Sequence, residues 1–186
     1  MRQRVLILPI AATVIIALCA YRVSTLDPDA PRPIAPSSNY RPAPLFELYD
    51  QHEPSETVRL EGYLSRHTII LVFFDAKIGA DRDPILDRLR RDFDKINHGG
   101  TRIFAISTAL PQENRKVIQR SGPFPFPLLS DPARDVHNTW GVNTQDPKQP
   151  VSAVFLIDRA GNVDWGKTTP RPVANPEQLL DRLTQP

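Results

Sequence analysis

Cysteine is nearly absent from this chain, which contains a single one, Cys19, among its 186 residues. Cys19 lies in an apolar N-terminal segment, so residues 20–186 hold no thiol. Dithiol exchange needs a Cys-x-x-Cys pair, and a thiol nucleophile needs at least one cysteine. Both kinds of chemistry are therefore excluded for the part of the chain that follows the apolar segment, unless a partner supplies the sulfur.

Signals for metal ions, cofactors and nucleic acids are weak as well. The four histidines form no His-x-x-x-His pair, and we predict no metal site and no cofactor from them; they are His52, His67, His98 and His137. Asp81, Asp83 and Asp87 are better explained as acidic residues of a first helical turn than as ligands of a hard cation. The formal net charge is only +2, and the alternating arginines and aspartates of residues 87–94 are typical of a solvated helix face. No nucleic-acid partner is predicted.

The N-terminus carries a membrane-targeting segment. Arg2 and Arg4 precede an uncharged run over residues 5–21, whereas Asp27 and Asp29 follow it. A run of this length is near the lower limit for a spanning helix, and the positive flank keeps the N-terminus cytoplasmic. We therefore predict a transmembrane anchor or signal segment over residues 1–22, anchored in the inner membrane, with the remaining chain extracytoplasmic, that is, periplasmic.

Three fates of this segment stay open. An uncleaved anchor is one, because no small-x-small cleavage site stands out near Leu18 and Cys19. A cleaved signal is the second. Lipidation at Cys19 is the third, although a bacterial lipoprotein signal expects a small residue where Leu18 stands. An unmodified Cys19 would simply be a small apolar side chain that faces lipid.

A proline-rich stretch separates the apolar segment from the rest of the chain. Within residues 23–43, the stretch DPDAPRPIAPSSNYRPA contains almost no large apolar side chain. This composition is typical of an extended and stiff linker. We therefore predict a linker over residues 23–43 and one compact domain over residues 44–186.

The apolar pattern of that domain begins as a strand, a helix and a strand. Residues 68–74 (TIILVFF) are a continuous β-branched and aromatic run, as in a strand buried on both faces. Asp83-Pro84 is a helix start, and apolar residues then follow at helical spacing up to Gly99-Gly100. Residues 102–107 (RIFAIS) form the second strand. This order predicts a βαβ unit with a parallel strand pair.

The remaining elements complete an α/β domain. We predict, in order, a helix over residues 112–120, a short edge strand over 126–129, a helix from Asp131-Pro132 to Trp140, strands over 151–157 and 163–165 around a hairpin turn at 158–161, and a last helix from Asn175-Pro176. Trp140 is expected in the core. This order is that of the thioredoxin-like fold, a central mixed β-sheet flanked by helices, which would follow the N-terminal membrane segment.

Several stretches resemble one family in the right order. The domain opens with APLFELYDQ and continues with IFAIST, then FPFPLLSDPARDVHNTWGV, then VFLIDRAGNV. These stretches resemble the entry, the Ile-Ser strand, the Ser-Asp-Pro turn and the Phe-x-Ile-Asp hairpin of peroxiredoxins of the AhpC/TSA type. The resemblance implies a thioredoxin-like fold and descent from thiol peroxidases, with the labels oxidoreductase and antioxidant.

The chain departs from this family at the active site. Peroxiredoxins resemble one another in a Pro-x-x-x-Thr-x-x-Cys element and in a later arginine. At these positions the chain has Asp75, Gly79, Arg82 and Ser152. An arginine cannot attack an O–O bond, and the flanking Asp81 and Asp83 would occupy the helix terminus that should stabilise a thiolate. Arg82, with Asp81 and Asp83, is the candidate binding site, and the alternative is a charged loop that caps a helix.

Two classes of function remain open. The favoured one is a membrane-tethered, redox-inactive relative of peroxiredoxins that acts as a binding or scaffold module for an unknown protein of the cell envelope. The alternative is an enzyme that keeps peroxidase or other redox activity through a partner's cysteine or a non-thiol group. A purely structural tether is a third hypothesis.

Overall fold

The computed structural model describes residues 39–98, 100–142 and 151–185. In chain order the elements are β1 (Tyr40–Pro42), β2 (Glu47–Tyr49), β3 (Thr57–Arg59), β4 (Thr68–Phe74), α1 (Pro84–Arg91), α2 (Phe93–Asn97), β5 (Thr101–Ser107), α3 (Pro111–Ser121), β6 (Leu128–Ser130), α4 (Asp135–Thr139), β7 (Ser152–Ile157), β8 (Asn162–Asp164) and α5 (Pro176–Thr184). Strand β4 and the start of α1 lie where the sequence predicted them.

The main sheet has six strands in the order β3-β2-β6-β5-β4-β7. Strand β4 runs parallel to β5, with Ile70 opposite Ile103, and antiparallel to β7, with Leu71 opposite Phe155. The predicted βαβ unit and the mixed sheet are therefore present. Strand β4 therefore has a hydrogen-bonded strand on each side, and the turn that leads to α1 follows its C-terminal end.

Two apolar cores cover the two faces of the sheet. Alternate residues of β4 enter them, as the period of a strand requires. Ile69, Leu71 and Phe73 belong to the core that includes Trp140, whereas the core on the other face packs under α1 and α5. Trp140 is 1% exposed, so its predicted place in the core is confirmed.

A second, two-stranded sheet was not predicted. Strand β8 pairs antiparallel with β1, with Arg41 opposite Val163, and not with β7. The turn at 158–161 is confirmed, because Gly161 N–H donates to Asp158 O at 3.0 Å. Residues 40–42, which the sequence assigned to the linker, therefore belong to a sheet, and the ordered structure begins before Pro44.

Three further features of the fold differ from prediction, namely two helix boundaries and the position of β6 in the sheet. The helix expected to run from Pro84 to residue 98 ends at Arg91, and α2 follows after Asp92, which has φ −98° and ψ 10°. The helix expected from Asp131 begins only at Asp135, because Arg134 has φ 65° and interrupts the helical backbone. Strand β6 is not an edge strand, since it lies between β2 and β5. Its proline immediately precedes the strand and costs it no ladder donor.

The C-terminal helix confirms its predicted start. Asn175 precedes Pro176, and its side chain accepts a hydrogen bond from Gln178 N–H at 3.1 Å, as an N-cap does. None of the described residues forms a helix with the length and apolar content needed to cross a membrane. Residues 1–22 and Cys19, on which the anchor and lipidation predictions rest, lie outside the described residues.

Candidate functional site

A tight turn follows β4, at the end of the sheet where the family active site was expected. Asp75 Oδ1 accepts a hydrogen bond from Lys77 N–H at 2.8 Å, and Asp75 O accepts one from Gly79 N–H at 3.0 Å. Gly79 has φ +85°, a backbone conformation that glycine adopts without a steric cost. Asp75 and Gly79 therefore shape the turn that leads to α1.

Asp83 caps α1. Its Oδ1 accepts hydrogen bonds from Ile85 N–H and Leu86 N–H, both at 3.0 Å, and its side chain is buried. Burial raises the pKa of Asp83, and the two backbone hydrogen bonds oppose that shift. Two amides that could hold an anion at this helix terminus are thus already engaged. Asp83 therefore caps the helix, which was the alternative to its role in the candidate binding site, and that binding role stays a prediction.

Asp81 is held by the neighbouring helix. Its Oδ2 accepts hydrogen bonds from Arg120 Nε at 3.1 Å and Arg120 Nη2 at 2.8 Å. The side chain of Asp81 is 12% exposed, and its Oδ1 is buried without a partner among the described residues. This ion pair fixes the loop to α3, so Asp81 is not free to bind a ligand either.

Arg82 differs from both neighbours. Its main-chain N–H donates to Gly79 O at 3.1 Å, but its exposed side chain has no hydrogen bond or ion pair within the described residues. Ser152, also exposed, is the first residue of β7 and lies opposite Phe74, the residue before Asp75. The four positions that differ from the family pattern therefore lie toward the same end of the sheet, and among them Arg82 supplies an unpaired cation.

A groove of about 400 Å³ opens beside this loop, between β4 and the start of α3. Its lining residues are Phe74, Ala76, Lys77, Gly79, Thr108, Ala109, Glu113, Asn114 and Val117. Two exposed apolar side chains, Ile78 and Leu110, belong to the same two segments, 37% and 39% exposed. Sequence analysis predicted a helix over residues 112–120 but did not assign any of its residues to the groove.

Two polar side chains that line the groove are engaged within the fold. Glu113 accepts a hydrogen bond from Leu110 N–H at 2.7 Å and so completes the cap of α3. Asn114 is buried and donates to Ser130 Oγ at 3.4 Å. No thiol and no histidine is among the lining residues. The described groove therefore combines apolar surface with Glu113 and Asn114, whose side chains are engaged within the fold, and with the exposed Lys77.

A buried acid and imidazole pair lies deeper in the fold. His137 donates from its main-chain N–H at 2.9 Å and faces through Nδ1, at 2.6 Å, the same Asp131 oxygen, Oδ2. Burial lowers the pKa of His137, against the opposing effect of Asp131. Its ring stands edge-on to Phe73, and Nε2 has no partner in the described part of the chain. Because both side chains are buried, the pair cannot reach a substrate.

One group of potential metal ligands exists among the described residues: Asp50, His52 and Glu56, whose ligand atoms lie within 4.8 Å of one another. Sequence analysis missed it, because its spacing is not that of a familiar metal motif. Asp81, Asp83 and Asp87 form no such group in the described structure.

The family can now be assigned. A model of the AhpC/TSA family matches residues 40–165, a range that includes all four altered active-site positions. The chain belongs to the AhpC/TSA family. No curated protein matches it.

Solved structures share the fold of this AhpC/TSA-family chain. The chain is similar to the reduced 2-Cys peroxiredoxin of Plasmodium vivax, with 17% identity and a TM-score of 0.59 over 77% of this chain and 92% of that one. It is also similar to the thiol peroxidase of Chromobacterium violaceum, with 21% identity and a TM-score of 0.57 over 78% and 87% of the two chains. A putative thiol:disulfide interchange protein DsbE from Chlorobium tepidum gives 20% identity and a TM-score of 0.54 over 78% and 94%. At these identities the similarity confirms the thioredoxin-like fold alone.

Proposed function

We propose that this AhpC/TSA-family domain is a redox-inactive binding module, tethered to the membrane by residues 1–22, that holds another protein of the cell envelope. Its binding surface comprises the loop 75–83 and the adjoining groove beside α3. We call this the loop surface. The tether and the envelope location rest on the charge pattern of the N-terminal segment.

The proposal rests mainly on Arg82, a cation without a partner among the described residues. Arg82 is exposed, and no described acidic side chain pairs with it, whereas Asp81 and Asp83 are engaged with Arg120 and with the start of α1. A guanidinium binds a carboxylate through two parallel hydrogen bonds, which gives such a contact direction as well as strength. A partner that presents a carboxylate to the loop surface would satisfy this arginine.

Apolar side chains supply the second element of the loop surface. Ile78 and Leu110 are exposed at 37% and 39%, in the segments that also line the 400 Å³ groove. Burial of apolar area provides most of the affinity in protein association, and charge pairs provide orientation. The partner is therefore expected to place an apolar side chain in the groove and an acidic one against Arg82.

The missing thiol and the use of the helix terminus by Asp83 support the proposed redox inactivity. A peroxidatic thiolate requires a lowered pKa, which a helix N-terminus and a nearby cation can provide. Here the amides of Ile85 and Leu86 donate to Asp83, and the family's arginine position holds Ser152. The competing hypothesis keeps peroxidase activity through a partner's cysteine, and it makes the opposite prediction for turnover in the presence of that partner.

A turnover assay separates these hypotheses. The full chain in detergent is assayed for hydroperoxide consumption with dithiothreitol, beside a cysteine-containing peroxiredoxin, with and without envelope extract. We expect no rate above background in either condition, because no residue after Cys19 can form a thiolate. A rate that follows the protein through purification, or that appears only with the extract, would refute the redox-inactive proposal.

A capture experiment tests the loop surface itself. The full chain is used as bait on envelope extract under strong reductant, beside Arg82→Ala and the matched variant Arg66→Ala. Arg66 is also exposed and unpaired among the described residues, but it precedes β4 and so lies at the other end of the sheet. We expect one partner that Arg82→Ala loses by roughly tenfold and Arg66→Ala retains, since a charge-assisted hydrogen bond contributes about 1.5–3 kcal/mol. Equal capture by both variants would contradict a role for Arg82.

A further inference from the structure

We infer that the loop between β2 and β3 binds a divalent transition-metal ion of the Zn²⁺ class through Asp50, His52 and Glu56. One ligand atom from each of these side chains lies within 4.8 Å of the other two. The three residues fall within seven positions of sequence, and none of them lines the groove of the loop surface. The inference is independent of the proposed binding function.

The kinds of donor select the class of metal. An imidazole nitrogen and two carboxylate oxygens suit Zn²⁺ and related ions, because imidazole favours Zn, Cu, Fe and Ni. Ca²⁺ takes six to eight oxygen ligands, far more than this loop offers, and Mg²⁺ keeps most of its water. Two ionised carboxylates also balance the charge of a divalent ion, so that the loaded site is neutral.

Contacts outside the three ligands hold the loop in place. Gln51 Oε1 accepts a hydrogen bond from Leu128 N–H at 2.8 Å, which ties the loop to β6. Arg115 of α3 donates to His52 O at 3.0 Å, and Arg115 is itself paired with Glu53 at 3.6 Å. A loop that is already ordered loses little conformational entropy when it binds an ion, which favours affinity.

Asp50 is the fixed ligand of the three. Its side chain is buried, and Oδ1 accepts hydrogen bonds from His52 N–H at 3.0 Å and Glu56 N–H at 2.8 Å. Its other oxygen, Oδ2, faces His52 Nδ1 directly. Asp50 Oδ2 and His52 Nδ1 are thus two ligand atoms that already lie side by side, and a metal ion bound between them replaces their direct contact.

The other two ligands can move to complete the site. The side chain of His52 is 60% exposed, and Glu56 is exposed. Ligands of a tetrahedral Zn²⁺ with bonds of about 2.0 Å lie about 3.3 Å apart, so small rotations of His52 and Glu56 close the cluster around the ion. His52 also borders a groove of about 340 Å³, in which water can complete the coordination.

Titration with Zn²⁺ alone tests this site. The full chain in detergent is titrated calorimetrically, and Co²⁺ absorption in the visible range reports the ligand set. We expect one equivalent of Zn²⁺ to bind. His52→Ala should lower the affinity by at least about tenfold, since loss even of an outer-shell partner costs about 10–100-fold. Glu56→Gln should weaken binding as well.

A matched histidine variant serves as the control. His98 is exposed but belongs to no described ligand group, so His98→Ala should bind Zn²⁺ as the unaltered chain does. Asp50→Ala is avoided because Asp50 also accepts the amides of its own loop, and its loss would disturb the fold. No saturable binding at one equivalent, or equal affinity in His52→Ala and the unaltered chain, would overturn the assignment.

Discussion

Placing a cysteine at position 82 tests whether this site can activate a thiol. The variant is Arg82→Cys in a Cys19→Ser background, so that it carries a single cysteine at the family's peroxidatic position. We expect an ordinary, unactivated thiol there. The amides of Ile85 and Leu86 already donate to Asp83 Oδ1 at 3.0 Å, and no arginine stands at position 152.

The magnitude follows from the thiolate fraction at neutral pH. An unperturbed cysteine has a pKa of about 8.5, so that about 3% is thiolate at pH 7. A helix N-terminus and a nearby cation can lower the pKa to about 6, at which about 90% is thiolate. Here Asp83 already accepts the helix amides, and Arg120, the cation beside the loop, is already paired with Asp81, so neither effect is free to act on position 82. The expected thiolate fraction is thus about thirtyfold below that of an activated site.

Alkylation kinetics measure this fraction directly. The rate with iodoacetamide is followed from about pH 5 to about pH 10, and its midpoint gives the thiol pKa, expected at or above about 8.5. Adding Asp83→Ala to the same background frees the two amides and should lower the midpoint. A midpoint below about 7 in the first variant, or clear hydroperoxide turnover by it, would refute the argument that Asp83 has taken over the helix terminus.

Two further predictions concern stability. Asp83→Ala should lower the free energy of unfolding, measured in urea, by about 1–2 kcal/mol. Asp83→Asn keeps a capping oxygen and should stay within about 0.5 kcal/mol of the unaltered chain. Equal losses in the two variants would contradict the capping role. Burial lowers the pKa of His137 in the folded protein, so below about pH 6.5 the unfolded chain binds more protons than the folded one. The free energy of unfolding therefore falls as the pH is lowered, and His137 contributes at most about 1.4 kcal/mol of that loss at pH 5.5. The pH profile of His137→Gln relative to the unaltered chain isolates that contribution, and parallel profiles would exclude it.

Local signals in the sequence were sufficient for the elements that build the main sheet. The run at residues 68–74 predicted β4 to the residue, and Asp83-Pro84 predicted the start of α1, because a buried strand and a capped helix start are set by neighbouring residues. The pairing of β1 with β8 was missed. It joins residues 40–42 to residues 162–164, and nothing in the short, proline-bearing strand β1 indicates a partner that distant in sequence.

Helix starts that depend on tertiary contacts were also missed. Asp131-Pro132 has the composition of a cap, but the carboxylate of Asp131 accepts from the main-chain N–H of His137, and α4 begins four residues later. The burial of Ser130, Asp131 and His137 favours these contacts over a helix start at Pro132. A cap motif therefore predicts a helix only where no other buried donor competes for the carboxylate.

The loop residues Asp81, Arg82 and Asp83 illustrate what sequence analysis can and cannot resolve. From the sequence, Asp81, Arg82 and Asp83 formed one charged loop, with a binding site and a helix cap as alternatives. The structure divides them, because Asp83 caps α1, Asp81 pairs with Arg120 and Arg82 has no described partner. A thiolate site must keep the helix amides free, whereas a domain without a thiol at this position can use them to stabilise its own fold. An acid that caps the helix and an arginine at the surface thus stand where the AhpC/TSA pattern has a cysteine.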